Sequence, residues 1–111
     1  MKILSDKQIL FFKNDNVLRL EAVSGQTVIH FVDNKQTTID ESFESIVAQL
    51  KDPGFIRIHH RHMVNVNYIA KIAGGTADFV ELSNAEVLPI EVKQKELLIE
   101  LITEHLHKTK T

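Results

Sequence analysis

FIRIHHRHMVNVNYI, from Phe55 to Ile69, is the stretch on which the reading of this chain turns. Phe55 to Ile58 and Met63 to Val66 are rich in β-branched and apolar side chains, as strands are, and a third run follows in Tyr68 to Ile72. Pro53 and Gly54, just upstream, break any helix that would run into it. Between the apolar ends lie Arg57, His59, His60, Arg61 and His62. No Asp or Glu occurs from Pro53 to Ala77, although the chain carries a formal net charge of −2. The total argues against a generic polyanion binder, but phosphate recognition depends on clustered cations, and here they cluster.

Upstream, Ile9 to Phe12, Val17 to Ala22, Thr27 to Val32 and Gln36 to Ile39 read as further strands. Leu18, Leu20 and Ala22 alternate with Val17, Arg19 and Glu21, the pattern of a half-buried sheet. Ser24 with Gly25, and Asp33 with Asn34, are turn formers, and the second pair predicts a hairpin. The period then changes. Phe43, Ile46, Val47 and Leu50 fall on one helical face, predicting a helix over about 40–51 that covers a sheet. Thr38 and Glu41 have capping-box spacing at its start. Downstream, Gly74 and Gly75 predict a turn, Phe79 to Leu82 and Glu86 to Ile90 two strands, and Leu97, Leu98, Leu101, Ile102 and Leu106 a second helix over about 92–106. Lys108 and Lys110 lie beyond it.

With 111 residues, 43% hydrophobic and 25% charged, residues 1–111 read as one folded unit. There is no cysteine, which excludes disulfides, thiolate metal sites and cysteine nucleophiles. No apolar run is long enough to span a bilayer and the N-terminus has charges where a signal peptide is apolar, so the expected location is the cytoplasm. No phosphate-binding loop, nucleophile elbow or zinc-protease pattern is present, so no enzymatic role and no cofactor are expected. His59, His60 and His62 raise the question of a metal. On a continuous strand His60 and His62 share a face and His59 opposes them, and a third ligand has to come from elsewhere, so no metal ligand set is assigned.

The segment FIRIHHRHMVNVNYIAKI resembles the signature of the LytTR family, bacterial DNA-binding domains usually attached to response regulators. That signature runs from an aromatic residue through Arg-Ile-His, a variable polar or basic pair and an aromatic or apolar residue to Val-Asn and a later Ile. Phe55, Arg57, Ile58, His59, His60, Arg61, Met63, Val64, Asn65 and Ile69 fit it. His62 either adds one residue to the usual spacing or occupies the aromatic position. VLRLEA at 17–22, Gly25-Gln26-Thr27 and Leu88-Pro89-Ile90 resemble the family's early strand, following loop and last strand. The resemblance implies an elongated, mainly β stack of small antiparallel sheets that reads duplex DNA with loops in successive major grooves, as a transcriptional regulator or a response-regulator output domain.

Carried over residue by residue, it implies DNA contacts from Gln26 in the first loop, from Arg57, His59, His60 and Arg61, and from Lys93 in the last loop. These side chains have suitable chemistry, since an amide can pair with adenine, a guanidinium with guanine or phosphate, and an ammonium acts as a point charge. One departure stands out. Where the family's last loop usually carries Ser-Arg-Arg, this chain has Glu91, Val92 and Lys93. A valine can touch a thymine methyl and a glutamate can accept from cytosine, whereas a carboxylate also repels phosphate. Two readings therefore stay open: a sequence-specific DNA binder, or a protein-interaction or dimerisation domain of the same fold with weakened DNA contact. Partners on these readings are duplex DNA, a second copy, alone or in tandem on direct repeats, and a receiver domain upstream. Leu98, Leu101 and Leu106 are the candidate dimer stripe.

Overall fold

The computed structural model describes residues 1–6, 8–74 and 78–109, without the side chains of residues 102 and 105–109. In chain order the elements are β1 (Lys2–Ser5), β2 (Gln8–Phe11), β3 (Val17–Val23), β4 (Gln26–Phe31), β5 (Gln36–Ile39), α1 (Phe43–Gln49), β6 (Phe55–His59), β7 (His62–Asn65), β8 (Ile69–Ala73), β9 (Phe79–Leu82), β10 (Val87–Pro89) and α2 (Val92–Thr109). The strands form three antiparallel sheets: a central one in the order β5-β4-β3-β7-β6, a second of β10-β9-β8, and the β1-β2 hairpin. The mainly β stack with an internal and a C-terminal helix is thus as the sequence implies, and its extents of 42 × 36 × 25 Å make it only moderately elongated.

The central sheet is covered on both faces, which is why its strands read as apolar runs. On one face Leu18, Ile56, Ile58, Val64 and Val66 pack with Val80, Leu82, Leu88, Ile90 and Leu98 of the smaller sheet and α2. On the other, Val17, Leu20, Ile29, Ile39, Phe55 and Met63 pack with Ile3 of β1 and Phe43 and Ile46 of α1. Simple alternation puts Leu18 and Leu20 on the same face; the structure splits them. A register shift between Val17 and Arg19 inserts a residue into β3 and flips the parity, so Val17 and Leu20 share one core while Leu18 serves the other.

Two boundaries differ from the sequence reading. Thr38 is held in β5 opposite Val28, so it cannot cap α1; the cap is Ser42, whose hydroxyl accepts from the Ser45 N–H at 3.1 Å. The helix ends at Gln49, earlier than expected, with Leu50 as an extended cap whose N–H donates to the Ile46 carbonyl at 3.0 Å. Lys2–Ser5 is a strand that the sequence does not announce: four residues carry too little pattern, and the pairing with β2 and the two hydrogen bonds between Leu4 and the Gln49 amide hold it. The Gly74-Gly75 turn lies partly outside the described residues, as do the side chains of Ile102, Leu106 and Lys108 and the whole of Lys110. Leu98 is fully buried in the core and Leu101 packs against it, so both are withdrawn from the dimer stripe; among the described large apolar side chains of α2, Val92, Leu97 and Ile99 face outward.

Candidate nucleic-acid interface

Strand direction assembles the site. β3 and β7 are antiparallel neighbours with Glu21 opposite His62, so the β3–β4 turn and the β6–β7 turn emerge at the same end of the central sheet. The Ala22 N–H donates to the Arg61 carbonyl at 3.0 Å, extending the ladder to the edge of the turns. Ser24 and Gly25 form the first turn with φ of 49° and 79°, the left-handed pair that a two-residue hairpin of this twist requires. His60 and Arg61 form the second, between paired His59 and His62. A third segment joins them. The Glu91 N–H donates to the Ile58 carbonyl at 2.9 Å, and its carboxylate accepts from the His60 N–H at 2.6 Å and meets His60 Nδ1 at 2.7 Å. Gln26, His60, Arg61 and Lys93 thereby gather at one end, on three separate segments.

The six sequence-derived residues are not equivalent there. Arg57 is committed to the fold. Its guanidinium donates to both carboxylate oxygens of Glu44 and to the carbonyls of His59 and His60, and lies 5.2 Å from the centroid of the Phe43 ring. The hydrogen bond to Glu44 raises the Arg57 pKa and, reciprocally, holds the Glu44 carboxyl below its ordinary range. Nothing in the sequence singles out Glu44, because its partner is brought to it only by packing of α1 on β6.

His59 is half-buried, its Nδ1 accepting from the Arg61 N–H at 3.1 Å and its ring 4.1 Å from His60 and 5.4 Å from His62. Strand parity does not separate these rings, because His60 is in the turn. Burial, then the neighbouring His60, lowers the His59 pKa, and burial pulls His62 down to about 4. His62 Nδ1 is buried without a hydrogen-bond partner among the described residues, which suits a ring held neutral. Hydrogen bonds from His60 to the Glu91 carboxylate lower the Glu91 pKa, so Glu91 stays ionised.

What remains outward is a short set. Arg61 is exposed, with one guanidinium contact among the described residues, to the Ala22 carbonyl at 3.2 Å. Lys93 is 78% exposed and 3.7 Å from Glu91. Gln26 has only a long 3.5 Å contact to Asp40. Val92 is 81% exposed, an unusual position for an apolar side chain unless something covers it. It and Lys93 stand on the first turn of α2, not in a loop. An open groove runs between the two hairpin turns and the start of α1, lined by Gly25, Gln26, Ser42, Glu44, His60 and Arg61 among others.

No curated protein matches the chain. Among solved structures, the LytTr DNA-binding domain of a putative methyl-accepting/DNA response regulator from Bacillus cereus superposes with a TM-score of 0.72 at 22% identity, covering 92% of this chain and 94% of that one. The family model for the LytTr DNA-binding domain matches residues 7–103. With nearly its whole length matched and its sheets arranged as in that neighbour, this chain belongs to the LytTR family of DNA-binding domains.

Proposed function

We propose that the chain binds duplex DNA sequence-specifically through the end of the central sheet that carries Gln26, His60, Arg61, Val92 and Lys93, and that it acts on transcription in the bacterial cytoplasm, alone or as the output module behind a receiver domain. The observation that carries this is the convergence of three separate segments at one end, each presenting a donor that the fold leaves largely unspent. Turns of this width, set on a rigid sheet, fit a major groove, where each base pair shows its own donor and acceptor pattern. Gln26 suits adenine, Arg61 guanine or phosphate, and Lys93 phosphate. Val92 takes the place of the arginine expected there and offers a methyl surface to thymine.

Arg57 and His59 act through other residues. Arg57 ties the β6–β7 turn to α1, and His59 supports the Arg61 peptide. Selection from a random duplex pool tests the proposal: the wild type enriches a motif, and the Arg61→Ala, Lys93→Ala double variant does not. Absence of enrichment by the wild type at low salt would overturn it.

A second reading rests on exposed apolar side chains. Ile9 is 58% and Phe11 73% exposed on β2, and Leu97 and Ile99 face outward on α2. Such surface favours a second copy, side by side on direct repeats or as a dimer independent of DNA. Sedimentation at micromolar concentration separates these: monomer alone contradicts the DNA-independent dimer.

A further inference from the structure

Two adjacent histidines lack a third ligand in the sequence, and the fold brings one. His59, His60 and Glu91 each offer a ligand atom, and the three atoms lie within 4.8 Å of one another. Two ligands of a tetrahedral zinc ion stand about 3.4 Å apart, given metal–ligand bonds of about 2.0–2.2 Å. His60 Nδ1 already stands 2.7 Å from the Glu91 carboxylate and its ring is exposed, so closing on an ion takes side-chain rotation at the surface. The frame beneath is fixed, because Glu91 is hydrogen-bonded through its backbone to Ile58, next to His59 in β6.

We propose that His59, His60 and Glu91 bind one divalent first-row transition cation, zinc being the reference case, with the remaining coordination positions open to water. Two imidazoles and one carboxylate suit zinc, nickel, cobalt and copper, whereas calcium and magnesium take oxygen-rich shells. Arg57 does not oppose the ion strongly, since its charge is matched by Glu44. Lys93, 3.7 Å from Glu91, swings free when the carboxylate turns to the metal.

The consequence for DNA rests on the reading of this end as the nucleic-acid face. Without metal, Glu91 places a negative charge between His60 and Lys93, where it repels phosphate. With a divalent ion on neutral imidazoles, the same cluster carries a net positive charge. His59 adds a geometric link. Ligation through Nδ1 replaces the Arg61 N–H contact, and ligation through Nε2 moves the ring proton onto Nδ1, so either mode resets the Arg61 peptide. Metal therefore raises DNA affinity and reshapes the turn that bears Arg61.

The test titrates zinc into the whole chain against a chromophoric zinc indicator. One equivalent is expected, lost in Glu91→Gln and in His60→Gln, and kept in His62→Gln and in the His105→Gln, His107→Gln double variant, with thermal melting confirming that each is folded. Binding that survives Glu91→Gln, or that vanishes with His105 and His107, overturns the site. A second arm measures fluorescent-duplex anisotropy in zinc and in EDTA at one ionic strength, and several-fold tighter binding in zinc, absent in Glu91→Gln, is expected. One-equivalent zinc binding with unchanged DNA affinity overturns the coupling alone. No DNA binding in either buffer overturns the DNA reading, and the indicator titration still decides the metal site.

Discussion

Two arginines four residues apart illustrate how little residue type alone settles. Arg57 and Arg61 are equally basic in the sequence, yet packing of α1 against β6 saturates one and leaves the other outward. Their substitutions should therefore separate. Arg57→Ala lowers the melting temperature, because it unties Glu44 and two carbonyls of the β6–β7 strand and turn at once. Arg61→Ala leaves melting nearly unchanged and reduces the slope of log affinity against log salt by about 0.9 for each phosphate no longer neutralised. Paired thermal melts and salt titrations check both. Histidine adds a pH signature. His62 is lowered to about 4 in the fold from 6.5, so between these values the unfolded chain binds the extra proton and stability falls as pH falls. Discounted for its partial exposure, the loss from pH 7 to pH 5 is about 1 kcal/mol. Urea midpoints at the two pH values should show it, and His62→Gln should flatten the difference. Because burial shifts His59 and His62 both down, neither ring is a source of added positive charge for DNA near neutral pH.

At the scale of elements, turns and bulges decide where those side chains go. Gly25 sits at φ 79° with open space where a Cβ would stand, so Gly25→Ala costs about 1 kcal/mol from backbone conformation alone. It should also weaken DNA binding beyond that loss, since the turn carries Gln26; calorimetry and anisotropy on the same variant separate the effects. Periodicity and turn chemistry make most strands legible: Gln36–Ile39 and Phe79–Leu82 match the expected limits, and other ends differ by a residue or two. The β3 bulge is not legible, because an inserted residue looks like any other until two cores compete for Leu18 and Leu20. Nor is β1, whose stability comes from β2 and α1 and not from its own four residues.

For the whole molecule, charge is the governing quantity. The proposed DNA-facing end is basic in sequence, but Glu44 and Glu91 fold back onto it and answer Arg57 and His60. A chain of net charge −2 whose proposed DNA end carries Glu44 and Glu91 among its cations should bind DNA with a shallow salt dependence and gain specificity more from base contacts than from phosphate attraction. The candidate residues are legible one by one through the family signature. Their grouping is not, since it depends on antiparallel pairing of β3 with β7 and on the backbone bond between Glu91 and Ile58. Whether these three segments form a single DNA-binding end is decided most directly by amide chemical-shift mapping with a selected duplex. Shifts are expected to concentrate at residues 24–26, 60–61 and 91–93 and to spare the β1-β2 hairpin. Shifts centred on that hairpin or on the outward face of α2, with the three segments unmoved, would show that DNA is held elsewhere.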